Sequence, residues 1–141
     1  MEELAYKIIS DGEGVKKLTK ITVKNAKSKS QAKNIAFSIC NSPLVKTAIA
    51  GEDANWGRVV MAIGKTNEKV IQNKLTIKFG NIVLARNGER NRKLSLSKVD
   101  KYMKNKLIEI EVNLNLGKYS KTVYGNDLNN EYIKINADYR S

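Results

Sequence analysis

Apolar positions recur along the chain with two periods, and the period changes several times between the two ends. Ala32, Ile35, Ala36, Ile39 and Cys40 stand three and four residues apart, the spacing of one stripe on a helix. Ser28 followed by Gln31 opens that stripe as a capping box, and Asn41 with Pro43 closes it. A second helix is predicted from Asp53, as its cap, through Asn55 and Trp56 to Ile63, with Val59, Val60 and Ile63 inward and Gly64 at its end. Ser95 or Ser97 opens a third, running to about Met103. Residues 4–9 form a short amphipathic helix that stops at the Asp11-Gly12 turn signal.

Elsewhere the period is two. Leu18, Ile21 and Val23 alternate with Thr and Lys, with one slip of phase, and Ile108, Ile110, Val112 and Leu114 alternate with polar partners across residues 107–116. After Gly117 a further strand covers residues 119–124, and residues 75–79 and 82–85 flank Gly80-Asn81 as a hairpin whose turn residues suit positive φ. Residues 131–135 make a last helical or extended turn before the C-terminus. The order predicts an α/β fold: a mixed, largely antiparallel sheet of about five strands with helices packed on at least one face. No repeat, linker or low-complexity tract divides the chain, so residues 1–141 read as a single α/β domain.

At 41% hydrophobic and 28% charged, 141 residues suffice to bury a core. No apolar run approaches the roughly 20 residues of a membrane helix, and the acidic Met1-Glu2-Glu3 is unlike the basic start of a signal peptide, so no membrane role and a cytoplasmic setting are expected. With no histidine and one cysteine the chain offers neither a Cys/His metal site nor a histidine-based triad, and Cys40, on the apolar stripe, reads as core. No cofactor is expected. The formal charge of +12, from 26 basic and 14 acidic residues, raises a nucleic-acid partner as a question. Lysine is spread evenly, aromatics make up only 6%, and no strand carries paired stacking rings, which argues against specific nucleic-acid recognition.

Three polar stretches are hard to read as scaffold. Asp11-Gly12-Glu13-Gly14 holds a carboxylate between two glycines, where the backbone is free and the side chain unobstructed. Ser42-Pro43-Leu44-Val45-Lys46-Thr47 runs on into Gly51-Glu52-Asp53-Ala54-Asn55-Trp56-Gly57-Arg58, in which a capped helix start and a guanidinium one turn later could face a carboxylate, or could all be structural. Ile135-Asn136-Ala137-Asp138-Tyr139-Arg140-Ser141 ends the chain on a short polar motif. In this order and at these spacings, the stretches resemble the C-terminal part of the ornithine acetyltransferase (glutamate N-acetyltransferase) family of arginine biosynthesis, over nearly the whole chain from about Leu4 to Ser141. Two departures mark a divergent member. Tyr124-Gly125-Asn126-Asp127-Leu128 stands where relatives often read Trp-Gly-Cys-Asp-Leu, and Lys16 where threonine is common.

The resemblance implies three substrate-binding residues. Glu13 would pair with a substrate ammonium, while Asn136 and Ser141 would hydrogen-bond substrate at its carboxylate or carbonyl. It also implies a nucleophilic threonine made N-terminal by self-cleavage, so that its own amine serves as base. Thr19, Thr22, Thr47, Thr66, Thr76 and Thr122 are all interior and lack the cleavage context, so no catalytic residue is expected here and the chain reads as the C-terminal portion of the enzyme's β chain. The implied partners are the upstream part of the same enzyme (its α chain and the N-terminal part of the β chain) in an α/β heterotetramer, with N-acetylornithine and glutamate as substrates. Acetyl-CoA is a further donor in some members. The competing reading is a stand-alone basic binding module, RNA-associated, with no enzyme attached.

Overall fold

In a computed structural model, which describes residues 17–126, six strands form one sheet in the order β4-β3-β2-β5-β1-β6. The strands are β1 (Leu18–Ala26), β2 (Thr76–Phe79), β3 (Ile82–Arg86), β4 (Glu89–Arg90), β5 (Leu107–Asn113) and β6 (Tyr119–Asn126). The helices are α1 (Lys29–Asn41), α2 (Pro43–Ala50), α3 (Trp56–Gly64) and α4 (Leu96–Tyr102), with a 3-10 turn at Gln72–Lys74. Of the five strand pairings only β1 with β5 is parallel, so the sheet is mixed and largely antiparallel, as the pattern implies. The sixth strand is the two-residue β4, too short to show a period. The helix predicted over residues 4–9 and the helical or extended turn predicted over 131–135 lie outside the described residues.

Register puts the apolar residues of four strands in line. Phe79 pairs Ile110, Ile110 pairs Ile21, and Ile21 pairs Val123; one step along, Ile77 pairs Val112 and Val112 pairs Val23. All seven are buried in one cluster with Ile35, Ile39, Val59, Ile63 and Met103 from the helical layer, and α1 packs on β1 and β6. The opposite face carries Lys20, Lys24, Lys78, Glu109 and Glu111, where Lys20 Nζ lies 3.8 Å from Glu109 and Lys24 and Lys78 lie 3.5 and 3.9 Å from Glu111. These long, solvent-facing pairs add little stability, but they offset most of the positive charge of that face.

Each helix opens on a side-chain oxygen. Ser28 accepts from Gln31 N, Ser42 from Val45 N, Asn55 from Arg58 N and Ser95 from Lys98 N. The capping box departs from its usual form, because Gln31 Oε1 accepts from Lys27 N, one residue before the cap. Asn55 rather than Asp53 caps α3. Asp53 Oδ2 instead accepts a 3.4 Å bond from the Asn55 side chain, two positions too early to reach the helix amides. The helix α2 was not expected from the pattern. Pro43 ends α1 but also occupies the first position of α2, where its missing N–H costs nothing, and Ser42 serves as C-cap of one helix and N-cap of the next.

The β2–β3 turn needs positive φ at one residue, Gly80 (φ 61), and not at Asn81. The Tyr102 ring lies over it: a Cβ on Gly80 would stand 2.5 Å from that ring, whose hydroxyl accepts from Glu109 N at 2.8 Å. Burial of the ring pushes the Tyr102 hydroxyl pKa up, so the phenol stays protonated at neutral pH. Gly80→Ala is expected to cost about 1–3 kcal/mol from the left-handed backbone alone, with the ring clash adding to it. Urea unfolding of the variant measures this; a midpoint equal to that of the wild type would contradict the account.

Candidate functional site

Glu13, Asn136 and Ser141, the substrate-binding residues that the resemblance implies, lie outside the described residues. The described residues place the two strands nearest them in sequence side by side: β1 and β6 pair, and Leu18 stands opposite Asn126. Lys17, four residues after Glu13, begins the described chain at this end of the sheet.

Lys17 is only 6% exposed, and its ammonium is enclosed by three acceptors. It donates to Glu52 Oε2 at 2.8 Å, to the Met103 carbonyl at 2.7 Å and to the Asn105 carbonyl at 2.7 Å. An ammonium has three N–H donors, so each is used. Met103 caps the C-terminal end of α4, where helix carbonyls lack partners within the helix, and the lysine satisfies one of them. One side chain thus ties the entry of β1 to the loop after α2 and to the α4–β5 turn. The three acceptors lie 35, 86 and 88 residues from Lys17 in sequence.

Glu52 reaches Lys17 from an unusual backbone, with φ 59 just after Gly51, and the turn is held by Glu52 N donating to Ile49 O and Asp53 N to Ala48 O. The Lys17 hydrogen bond lowers the Glu52 carboxyl pKa from its ordinary value of 4.5 against a smaller opposing effect of desolvation, with the Lys17 and Lys104 charges contributing. At 43% side-chain exposure the pair is screened on the glutamate side, so the carbonyl bonds, above all the buried one to Met103, matter more to stability than the ion pair.

In the Asn55-Trp56-Gly57-Arg58 stretch the structural roles dominate. Asn55 caps α3, Trp56 packs against the core, and Arg58 Nη1 donates to the Leu44 carbonyl at 2.8 Å, joining α3 to α2, rather than to an acid. Trp56 also faces a cleft of about 420 Å³ whose lining includes Glu52, Asp53, Arg90 and Asp100. Cys40 is buried and packs where β6 passes closest to α1: a Cβ on Gly125 would lie 2.5 Å from its Sγ, so the glycine leaves room for the thiol. Among the described residues no group of three or more His, Cys, Asp or Glu could hold a metal ion, and no helix is long and apolar enough to cross a membrane.

The ArgJ family model matches residues 1–141, the chain from end to end. The chain belongs to the ArgJ family. It is 50% identical over 141 residues to the "Arginine biosynthesis bifunctional protein ArgJ" of Brucella melitensis and 52% identical to that of Bradyrhizobium diazoefficiens. In each case it spans 34% of the relative's length, about a third. The crystal structure of the arginine biosynthesis bifunctional protein argJ from Bacillus halodurans superposes with a TM-score of 0.85 at 40% identity, covering 98% of this chain and 65% of that one. Membership in the ArgJ family accounts for the motif resemblance and disfavours the stand-alone basic module. Lys17 was missed because nothing separates it from 25 other basic residues; its one sequence signal is its place just after the glycine-flanked Glu13 turn.

Lys17→Met is expected to leave the Met103 and Asn105 carbonyls without their donor and to cost about 1–3 kcal/mol. For Glu52 the folded pKa is depressed, so its contribution is present above pH 4.5 and is lost as pH falls through the folded value. Glu52→Gln should therefore flatten the acid limb of stability against pH. Chemical denaturation of both variants from pH 7 down to pH 3 tests this; an unchanged acid limb in Glu52→Gln would contradict the pairing.

Proposed function

We propose that this chain is the C-terminal portion of the β chain of a glutamate N-acetyltransferase/ornithine acetyltransferase, which moves an acetyl group from N-acetylornithine to glutamate in arginine biosynthesis. The observation that carries the reading is the end-to-end match to the ArgJ family by a chain that spans 34% of its curated relatives. The Bacillus chain adds support. The same stretch fills 65% of that chain but only 34% of the curated sequences, so the solved chain is about half their length, as a precursor divided in two would give.

In this reading the acetyl group passes through a threonine ester formed on the part of the enzyme that precedes this one, and this chain holds the amino-acid substrate in line. The Glu13 carboxylate takes a substrate ammonium in a charge-assisted hydrogen bond, and the Asn136 amide and Ser141 hydroxyl take a substrate carboxylate or carbonyl oxygen. None of the three needs to exchange a proton. The buried Lys17 ammonium anchors the start of β1, four residues after Glu13 in sequence. The partners are the α chain and the N-terminal part of the β chain in an α/β heterotetramer, in the cytoplasm, with no cofactor. Acetyl-CoA is a second donor that this family accepts in some members.

The outward face of the helical layer fits such a partner. Phe37 on α1, Leu44 on α2 and Met61 on α3 are exposed on three helices that touch one another, with Ser38 Oγ donating to the Ala62 carbonyl and Arg58 to that of Leu44. Exposed apolar side chains of this kind are what an interface with the remainder of the enzyme would cover.

In the complete enzyme Glu13→Gln keeps the shape of the side chain and removes its charge. Loss of a hydrogen bond to a charged group costs about 1.5–3 kcal/mol, so kcat/KM for both half-reactions should fall by roughly ten- to more than a hundredfold while self-cleavage of the precursor proceeds. Steady-state kinetics with N-acetylornithine and with glutamate, alongside a gel assay of cleavage, measure both. Unchanged kinetics would remove Glu13 from the substrate site.

A further inference from the structure

At the far end of β1 from Lys17, four lysines converge on one cleft. Lys29 and Lys33 stand one turn apart on α1, while Lys118 and Lys121 flank Tyr119 and Ser120 at the start of β6, where Tyr119 pairs with Ala26. The cleft encloses about 480 Å³, within the range of small-molecule sites, and no acidic residue lines it. All four lysines are exposed, and none takes part in an ion pair among the described residues. Lys118 Nζ lies 6.0 Å from the centre of the Tyr119 ring, a weak contact that leaves its N–H donors available.

The lysines of the open sheet face provide the contrast. Lys20, Lys24 and Lys78 lie against Glu109 or Glu111, so a high lysine content alone does not leave ammonium groups without counter-charges in this fold. Four positive charges gathered at one concave place repel one another unless an anion joins them. Each ammonium is a compact charge with three donors, suited to phosphate oxygens that can be approached from several sides. The arrangement is a short, half-open cleft with a single half-buried ring packed against the core, rather than a long basic stripe with several rings on which bases could stack. That favours a compact ligand over a nucleic-acid strand.

We infer that the cleft formed by Lys29, Lys33, Lys118 and Lys121 binds a small molecule bearing two or more phosphate groups.

The test is isothermal titration calorimetry of the whole enzyme containing this chain, with inorganic pyrophosphate as the probe at fixed ionic strength. Inorganic phosphate and single-stranded oligonucleotides of two lengths serve as comparison arms. Lys29→Gln/Lys33→Gln and Lys118→Gln/Lys121→Gln each remove two charges from the cleft, and Lys93→Gln/Lys98→Gln removes two exposed charges elsewhere. The inference expects saturable pyrophosphate binding, tighter than that of phosphate. Affinity should weaken by roughly tenfold or more in either cleft variant and stay within about twofold in the control, with thermal midpoints preserved in all three. Absence of saturable pyrophosphate binding, or equal weakening in the control variant, would overturn it. So would an oligonucleotide affinity that rises with length and depends on the same lysines, since that would make the cleft part of a nucleic-acid track.

Discussion

The row Phe79, Ile110, Ile21 and Val123, running across four strands, is the constraint on which the rest of the described chain depends. Successive side chains on a strand point to opposite faces, so these four can be buried together only if every polar neighbour in the same strands faces the other way. Lys78, Glu111, Thr22 and Thr122 form that opposite row, in register, with the Thr22 and Thr122 hydroxyls 3.1 Å apart. A slip of one residue in β1, β2 or β5 would bring a lysine or a glutamate under the helices and an isoleucine into water. Register is therefore strongly held, and with it the relative heights of β1, β5 and β6, which decide where both ends of the strand pair come out.

Those two ends are built differently. At one, the Lys17 ammonium is buried and saturated by Glu52 and two carbonyls, and its effect is to hold three distant segments together. At the other, Lys29, Lys33, Lys118 and Lys121 are exposed and line one cleft. The same residue type thus acts as a structural clasp where it is enclosed by acceptors and as a binding group where it is not. The distinction lies in desolvation: a buried charge must find its partners within the fold, whereas an exposed one can take them from solution.

How much of this was legible in the sequence depended on how local the cause was. Ser28 with Gln31, the stripe from Ala32 to Cys40 and the alternation of Ile108, Ile110 and Val112 each act within a few residues, and each gave its element. Pro43 was read as a stop because the same residue ends one helix and begins another, and only the Ser42 side chain, bonded to Val45 N, separates the two roles. Asp53 and Asn55 are both good caps by type; the bend at Glu52, with its positive φ, decides between them by setting where the helical turn starts. Lys17 was not legible at all, since its partners lie up to 88 residues away. The Glu13, Asn136 and Ser141 assignments came from the order and spacing of motifs, which carries family membership but no geometry.

The central claim is a division of labour in which this chain positions an amino acid while another part of the enzyme carries the acetyl group. Peptide mapping by mass spectrometry of the complete enzyme, quenched during turnover with N-acetylornithine in the absence of glutamate, tests it most directly. The account predicts one acetyl group on an N-terminal threonine outside this chain, discharged on adding glutamate, and none on any peptide from residues 1–141. A dischargeable acetyl group on a residue of this chain would contradict it.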